Sequence, residues 1–415
     1  MKIAIIGTGI SGMTCAWLLH RRHDIHLFEA STYPGGHTHT QEISLDGTHV
    51  PVDTGFIVFN DRTYPNFSQL LNRLGVRSRN TTMSFSVSCQ RSGLEYAGND
   101  LNGLFAQRSN AFSPAFFRML KDILRFNSHA STSIETSNGD ITLGEFLRQH
   151  GYSREFRENY VIPMAAAIWS AEHEQTQAMP ARFFVGFFEN HGLLSLSGRP
   201  QWKFIEGGSR SYVDKLLAPF RGQLRLSTPV TALQRFDTHV DVREASGKAE
   251  RFDAAIVATH SDQALALLQD PSREEREILS AIPYQKNEAV LHTDTAVLPR
   301  RRRAWAAWNY LRPARNQRRV AVTYNMSLLQ QLPSQETVCV TLNSTESIRE
   351  DLIVNRMTYH HPVFNFESLA AQQRWREING GRRTWYCGAY WGYGFHEDGV
   401  NSAMRVAEDI DQVGA

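Results

Sequence analysis

Two stretches of this sequence hold residues whose types and spacing suit chemistry. Near the C-terminus, GYGFHEDGVNS (392–402) sets His396, Glu397 and Asp398 between glycines, just after Tyr393 and Phe395. Taken alone, that run offers ligands for a cation or partners for proton transfer. At the N-terminus, IIGTGISG (5–12) places Gly7, Gly9 and Gly12 in the spacing that lets a pyrophosphate approach bare backbone. Whether the two ends serve one site depends on the elements that carry them.

KIAIIG reads as a short buried strand, SGMTCAWLLHRR has helical spacing in Met13, Ala16 and Trp17, and HDIHLFEA reads as a second strand. In such a unit Gly7 permits the tight turn, Gly9 the close approach of phosphate, and Gly12 the packing of helix on strand. The helix start, with Ser11 in its first turn, supplies amide donors and partial positive charge. Glu29, about 20 residues beyond the first glycine and followed by Ala30, is placed to accept from a ribose hydroxyl pair. Strand, helix, strand and acid in register point to a dinucleotide cofactor rather than to a purely structural turn. A second glycine turn follows in EASTYPGGHTHT, with Gly35 and Gly36, and VDTGFIVFN then brings Asp53, Thr54, Gly55 and Phe56. That is more main chain at a cofactor than a bare nicotinamide domain requires.

The acid followed by a double-glycine turn resembles the flavin amine-oxidase superfamily, which includes protoporphyrinogen oxidases and carotenoid desaturases. The resemblance implies FAD, and an α/β fold in which a Rossmann-type FAD-binding domain is interleaved with an α+β substrate domain, amine-oxidase or protoporphyrinogen-oxidase-like. It implies cofactor contacts at Gly36, His37 and Thr38, at Thr54, Gly55 and Phe56, through the backbone of Val230 to the adenine, and at Ala258 beside the pyrophosphate. The superfamily usually carries Arg after the double glycine, where this chain has His37, so that Arg contact does not carry over. His37 and His39 lack a third ligand, and no metal is expected. At the far end, TWYCGAYWGYGFHEDGVNSAMRVAEDI reads as a strand, a turn at Gly388, an aromatic loop and a helix beginning at Gly399 and Val400. Such a helix would direct its amides at an electron-rich flavin carbonyl. Alternatively it is an ordinary surface helix capped by Asp398. The superfamily usually has an acid after the turn glycine; Ala389 stands there. Glu397 and Asp398 are expected as cofactor contacts, and His396, Tyr393 and Trp391 as candidates for catalysis or for the pocket wall.

YVIPMAAAIWS, RPQWKFIEGGSRSYV, AVLHTD, AWAAWNY, HHPVF and GYGFHEDG together resemble a narrower group, bacterial amine-oxidase-like proteins associated with cyclopropane-fatty-acid-synthase-like enzymes. The chain is expected to pass between its domains more than once: residues 1–76, 196–282 and 371–415 for FAD, residues 77–195 and 283–370 for substrate. GVRSRNTTMSFSVSCQRSGLEYAG reads as strands, residues 104–194 as mainly helical, and EAVLHTD, RVAVTYN and VCVTLN as a substrate-domain sheet. The phenylalanines of PAFFRMLKDILRF and ARFFVGFFENHGLL serve either as helix core or as walls of an apolar channel. No second G-x-G-x-x-G follows, which favours direct oxidation of substrate by flavin over reduction by NAD(P)H.

Bulk properties narrow the field. With 415 residues and a formal charge of +2, the chain can fill two cores and has no overall pull toward nucleic acid. Cys15, Cys89, Cys339 and Cys387 lack paired spacing, which favours a reducing compartment; Cys387 reads as a buried strand cysteine rather than a covalent flavin anchor. No run reaches the roughly 18 apolar residues of a membrane span, and the first apolar run is a strand rather than a leader, so a cytoplasmic location is expected. Arg300 to Arg303, Arg312, Arg315, Arg318 and Arg319 form a basic region, read as a solvated loop or an anionic-surface contact. The expected activity is oxidation, as desaturation, of a small-molecule or lipid substrate such as a modified acyl chain, with peripheral membrane contact and a lipid-modifying partner enzyme left open. The alternatives are amine oxidation, for which Lys286 is the available lysine, and a non-catalytic flavoprotein partner of a lipid-modifying enzyme.

Overall fold

The computed structural model describes residues 1–136, 141–195, 197–220, 223–312 and 321–413. Arg315, Arg318 and Arg319 lie outside the described residues. Strand Lys2–Ile6 is buried at its last four positions and Ala254–Val257 at all four. Runs so continuously apolar suit a sheet covered on both faces. They form the centre of a five-stranded sheet in the order Leu224–Arg225, Asp24–Phe28, Lys2–Ile6, Ala254–Val257, Thr384–Tyr386, with every pair of neighbours parallel. Three distant stretches of chain thus meet side by side. Helix Ile10–Leu19 crosses from the first strand to the second, and helix His396–Val413 packs against it.

A second sheet of seven strands runs in the order Ile353–Pro362, Tyr284–His292, Cys339–Leu342, Ala321–Asn325, Trp308–Arg312, Phe85–Cys89, Leu94–Ala97. All its pairs are antiparallel except the one joining Trp308–Arg312 to Phe85–Cys89. Beside it lies a helical layer that includes Pro114–Thr136, Leu143–Gln149, Ile162–Trp169 and Ala181–Asn190. Of the phenylalanines read as either core or channel, Phe126, Phe184 and Phe188 are wholly buried, so they are core. Phe183 and Phe187 instead meet Tyr393, at 4.9 and 5.4 Å between ring centroids.

The C-terminal helix begins at His396, three residues before the expected start at Gly399. Asp398 accounts for the difference: its carboxylate accepts from the amide of Phe395 at 2.9 Å, the return half of a capping box. Gly399 then falls inside the helix, where a Cβ would lie 2.7 Å from Ile10 Cγ2 and 2.9 Å from Ser11 Oγ. The missing side chain is what lets the two helices touch.

Asp53 ties three segments together. Its carboxylate accepts from the Ser209 amide and hydroxyl at 2.9 and 2.6 Å, from Thr40 Oγ1 at 2.6 Å and from Gln330 Nε2 at 3.1 Å. Burial, opposed by these donors, pushes its pKa up to about 6. Asp53→Asn replaces one acceptor oxygen by an amide donor facing the Ser209 amide and Gln330 Nε2, which can only donate, at a cost of about 2–3 kcal/mol. A clear drop in the thermal midpoint is expected; an unchanged midpoint would show that the carboxylate does not hold these segments.

Candidate functional site

The N-terminal turn depends on contacts too close for side chains. Gly7 has φ 101°, in the region that favours glycine. A Cβ on Gly12 would sit 2.0 Å from the Gly7 carbonyl oxygen and 3.1 Å from Ala258 Cβ. At Gly9, by contrast, a Cβ would meet nothing within 4 Å, and a Cβ on Gly36 would lie 3.3 Å from the Gly9 Cα. The two glycine turns therefore back onto each other beside open space. Gly9 is the N-cap of the first helix and makes no side-chain cap hydrogen bond, which leaves the first-turn amides for an anion.

Glu29 accepts from the Thr8 amide and hydroxyl at 3.0 and 2.6 Å and from the Ser31 amide at 2.9 Å. It braces the turn and keeps acceptor capacity in hand, since a carboxylate has about four lone-pair sites. Ala30 beside it is exposed, and the Thr228 amide donates to the Glu29 carbonyl at 2.8 Å, so half-buried Val230 follows directly alongside.

The second turn is pinned by backbone. The amides of Phe56 and Thr54 donate to the carbonyls of His37 and His39 at 2.8 and 3.0 Å, and a Cβ on Gly55 would lie 2.2 Å from the His37 oxygen. Phe56 stacks on the His396 imidazole with centroids 3.6 Å apart. His396 Nε2 bonds Tyr212 OH at 2.9 Å and Thr38 Oγ1 at 3.1 Å, and the two hydroxyls also bond each other. Burial holds this histidine well below its usual pKa, so it is neutral. Its ring, a candidate for catalysis, is engaged on its face by Phe56 and at Nε2 by the hydroxyls of Tyr212 and Thr38, and so supports Thr38 and Phe56.

Glu397, expected as a cofactor contact, has two oxygens that accept from the amides of Asn66 and Phe67, at 3.1 and 2.9 Å. These amides open helix Pro65–Arg73, whose own N-cap residue Tyr64 makes no side-chain cap bond. Asp398 is directed inward too, receiving amides of Phe395, Tyr393 and Gly394, while burial raises its pKa to about 6. Trp391 packs beside Tyr390 in the nucleotide-domain core rather than in a pocket wall. Tyr393 does reach the helical layer, and its carbonyl accepts from Trp169 Nε1 at 3.2 Å. The Gly388 amide donates to Ser402 Oγ at 3.0 Å, and Val400 is buried in the nucleotide-domain core.

Sequence reasoning missed a cluster of imidazoles. The His37 ring lies 5.3 Å from His361, 5.2 Å from Tyr359 and 6.3 Å from His260; His260 stacks on Tyr284 at 4.1 Å and lies 6.0 Å from His360. Burial, reinforced by neighbouring imidazoles, lowers His37 to about 4 and His260 and His361 to about 3. His37 Nε2 is buried without a hydrogen-bond partner. Paired histidines in an alternating strand, HHPVF, were the available signal, because adjacent strand residues face opposite ways. Among the described residues no group of His, Cys, Asp or Glu has the geometry to hold a metal ion. Lys286 is exposed on the same sheet, with His360 as its register partner.

A narrow cavity adjoins the cluster, lined among others by Trp169, Gln175, Met179, Gln285, His361 and Phe364, with no carboxylate in its wall. Asn287 Nδ2 donates to His361 Nδ1 at 2.9 Å, while Asn287 Oδ1 accepts from Asn343 and Gln285. Those two donors set the amide's orientation, so His361 accepts at Nδ1 and carries its proton on Nε2.

The open space at Gly9, the uncapped helix start and the orphaned His37 nitrogen fit an extended dinucleotide. The family model for flavin containing amine oxidoreductases matches residues 10–411. A tryptophan 2-monooxygenase of Allorhizobium ampelinum is 30% identical over 155 residues, which cover 36% of this chain and 20% of that enzyme. The match thus spans about a fifth of that curated relative's length. Among solved structures, a CLA-producing fatty acid isomerase from P. acnes superposes with a TM-score of 0.71 at 15% identity, covering 99% of this chain and 98% of the other. Cyclohexylamine oxidase from Brevibacterium oxydans does so with a TM-score of 0.70 at 14% identity, covering 99% of each. At these identities the superpositions speak for the fold.

Two outcomes test the geometry. Glu397→Gln weakens the cap on helix Pro65–Arg73 and is expected to cost about 1 kcal/mol in urea unfolding while leaving cofactor affinity unchanged; a large loss of affinity would return Glu397 to the cofactor. The histidines are neutral in the fold, whereas the unfolded chain takes up protons as pH drops below about 6.5. The contribution of these histidines to stability is therefore full above pH 6.5 and is lost as pH falls toward 4, partly offset by Asp53 and Asp398, whose raised pKa values act with the opposite sign. Thermal midpoints across that range should show the fall, and His361→Leu should flatten it; equal slopes in both proteins would contradict the assignment.

Proposed function

Because the chain belongs to the family of flavin containing amine oxidoreductases, and is thereby an FAD-dependent oxidoreductase, we propose that it oxidises an apolar substrate, a modified fatty-acyl chain, by desaturation. FAD, when bound, supplies a hydride acceptor. Gly7, Gly9 and the first-turn amides of helix Ile10–Leu19 would receive its pyrophosphate, Glu29 its ribose, and the Gly36-His37 and Gly55-Phe56 turns its flavin end. His37 takes the place of the family's usual Arg, so a neutral donor or acceptor replaces a fixed cation.

The observation that supports the substrate reading is the apolar make-up of the cavity wall. The cavity is only about 10 Å³, room for about one water, so an acyl stretch would enter by parting Trp169, Met179 and Phe364, with Gln285 and His361 at one polar end. His361, with its proton on Nε2, can donate there and stays neutral at ordinary pH. A protonated amine would find no carboxylate in that wall, and Lys286 is exposed. The resemblance to proteins associated with cyclopropane-fatty-acid-synthase-like enzymes supports a lipid-modifying partner. A cytoplasmic location accords with it, and no described helix is long and apolar enough to cross a membrane.

Anaerobic titration of the yellow holoprotein separates the readings. Bleaching of the flavin band by phospholipids with cyclopropane-containing acyl chains, and not by alkylamines, is expected. Bleaching by amines alone would establish amine oxidation instead, and bleaching by neither would leave a non-catalytic flavoprotein.

A further inference from the structure

We propose that one face of the helical layer docks on the surface of an anionic lipid bilayer. Four of the eight exposed large hydrophobic residues among those described fall within one short stretch: Leu101, Phe112, Phe117 and Leu124. Scattered exposed hydrophobics are ordinary on a soluble protein. These are not scattered, and Phe112 is 89% and Leu101 75% exposed. Phe117 and Leu124 are seven residues apart on helix Pro114–Thr136, two turns along one side, with Lys121 between them. The Phe105 ring lies 6.3 Å from that of Phe117, and the Phe105 amide donates to the Leu101 carbonyl at 3.0 Å, which joins the short helix Leu101–Leu104 to the patch.

The surroundings are basic. Helix Leu101–Leu104 and strand Leu94–Ala97 both pack against the turn Arg302–Ala304. Arg108, Lys121, Arg300, Arg302 and Arg303 are exposed, and among the described residues none has an acidic partner within 4.0 Å. Arg118 and Arg301 are neutralised by Glu155 and Glu95, and Asp100 is engaged as the N-cap of helix Leu101–Leu104. Five unpaired cations set among apolar tips match a plane of phosphates over hydrocarbon. A protein partner of ordinary composition would meet the cations only by matching each with an acid.

The placement suits lipid traffic. Helix Pro114–Thr136 packs on Ala181–Asn190, whose Phe183 stacks on Phe364 of the cavity wall at 4.7 Å. Docking nevertheless goes beyond the substrate reading, since a protein can bind a bilayer whatever it oxidises.

The test uses the full-length holoprotein and substrate-free vesicles, so that its failure stays distinct from failure of acyl oxidation. Co-sedimentation is expected with vesicles containing phosphatidylglycerol, not with phosphatidylcholine alone, and high salt should release the protein. The Phe112→Ser/Phe117→Ser and Arg302→Glu/Arg303→Glu variants should each bind about tenfold or more weakly, with melting temperature and flavin absorbance unchanged. No sedimentation with either vesicle, or binding that both double variants leave intact, would overturn the proposal. Self-association without vesicles, relieved by the same variants, would assign the face to a second copy of this chain and overturn it too.

Discussion

No side chain fits at residue 12. A Cβ there would lie 2.0 Å from the Gly7 carbonyl oxygen, well inside any van der Waals contact, so the first helix approaches the central strand only because that atom is absent. The amide-lined start of the helix adjoins this contact, and the turn at Gly36 packs on Gly9 beside it. A second absent side chain, at Gly399, lets the C-terminal helix close on the first. Glycine contacts nearly four hundred residues apart in sequence thus bring the C-terminal helix onto the start of the first helix.

The polar residues of the C-terminal run hold that closure in place. His396 supports Thr38 and Phe56, Glu397 caps helix Pro65–Arg73, and Asp398 gathers the amides of the loop before it. A buried carboxylate is tolerable when several donors face it, and these carboxylates meet that condition through backbone amides. The groups left free for chemistry lie instead where the strand Ile353–Pro362 meets the second glycine turn. There His361, kept neutral by burial, lines one end of a small, mainly apolar cavity.

The strand-helix-strand unit was legible because its periods are local: a continuous apolar run, a 3.6-residue repeat, and glycines whose roles follow from turn geometry. The helical stretch and the later strands were legible for the same reason. The uses of His396 and Glu397 were not, since their partners lie 184 and about 330 residues away. The same carboxylate can cap a helix or bind a ribose, and only the fold decides between them. The imidazole cluster was hidden similarly: His37, His260 and His361 belong to separate segments, and only the tertiary fold brings the His361 ring within 5.3 Å of His37. Trp391 suits a pocket wall or a core equally well, and packing put it in the core.

Whether both ends of the chain serve one cofactor site is tested most directly by amide hydrogen exchange with and without FAD. Slowed exchange at both the first-helix amides after Gly9 and the loop from Gly388 to Phe395 is the result expected of one site walled by both ends. Protection confined to the N-terminal turn, with the C-terminal loop unchanged, would contradict it.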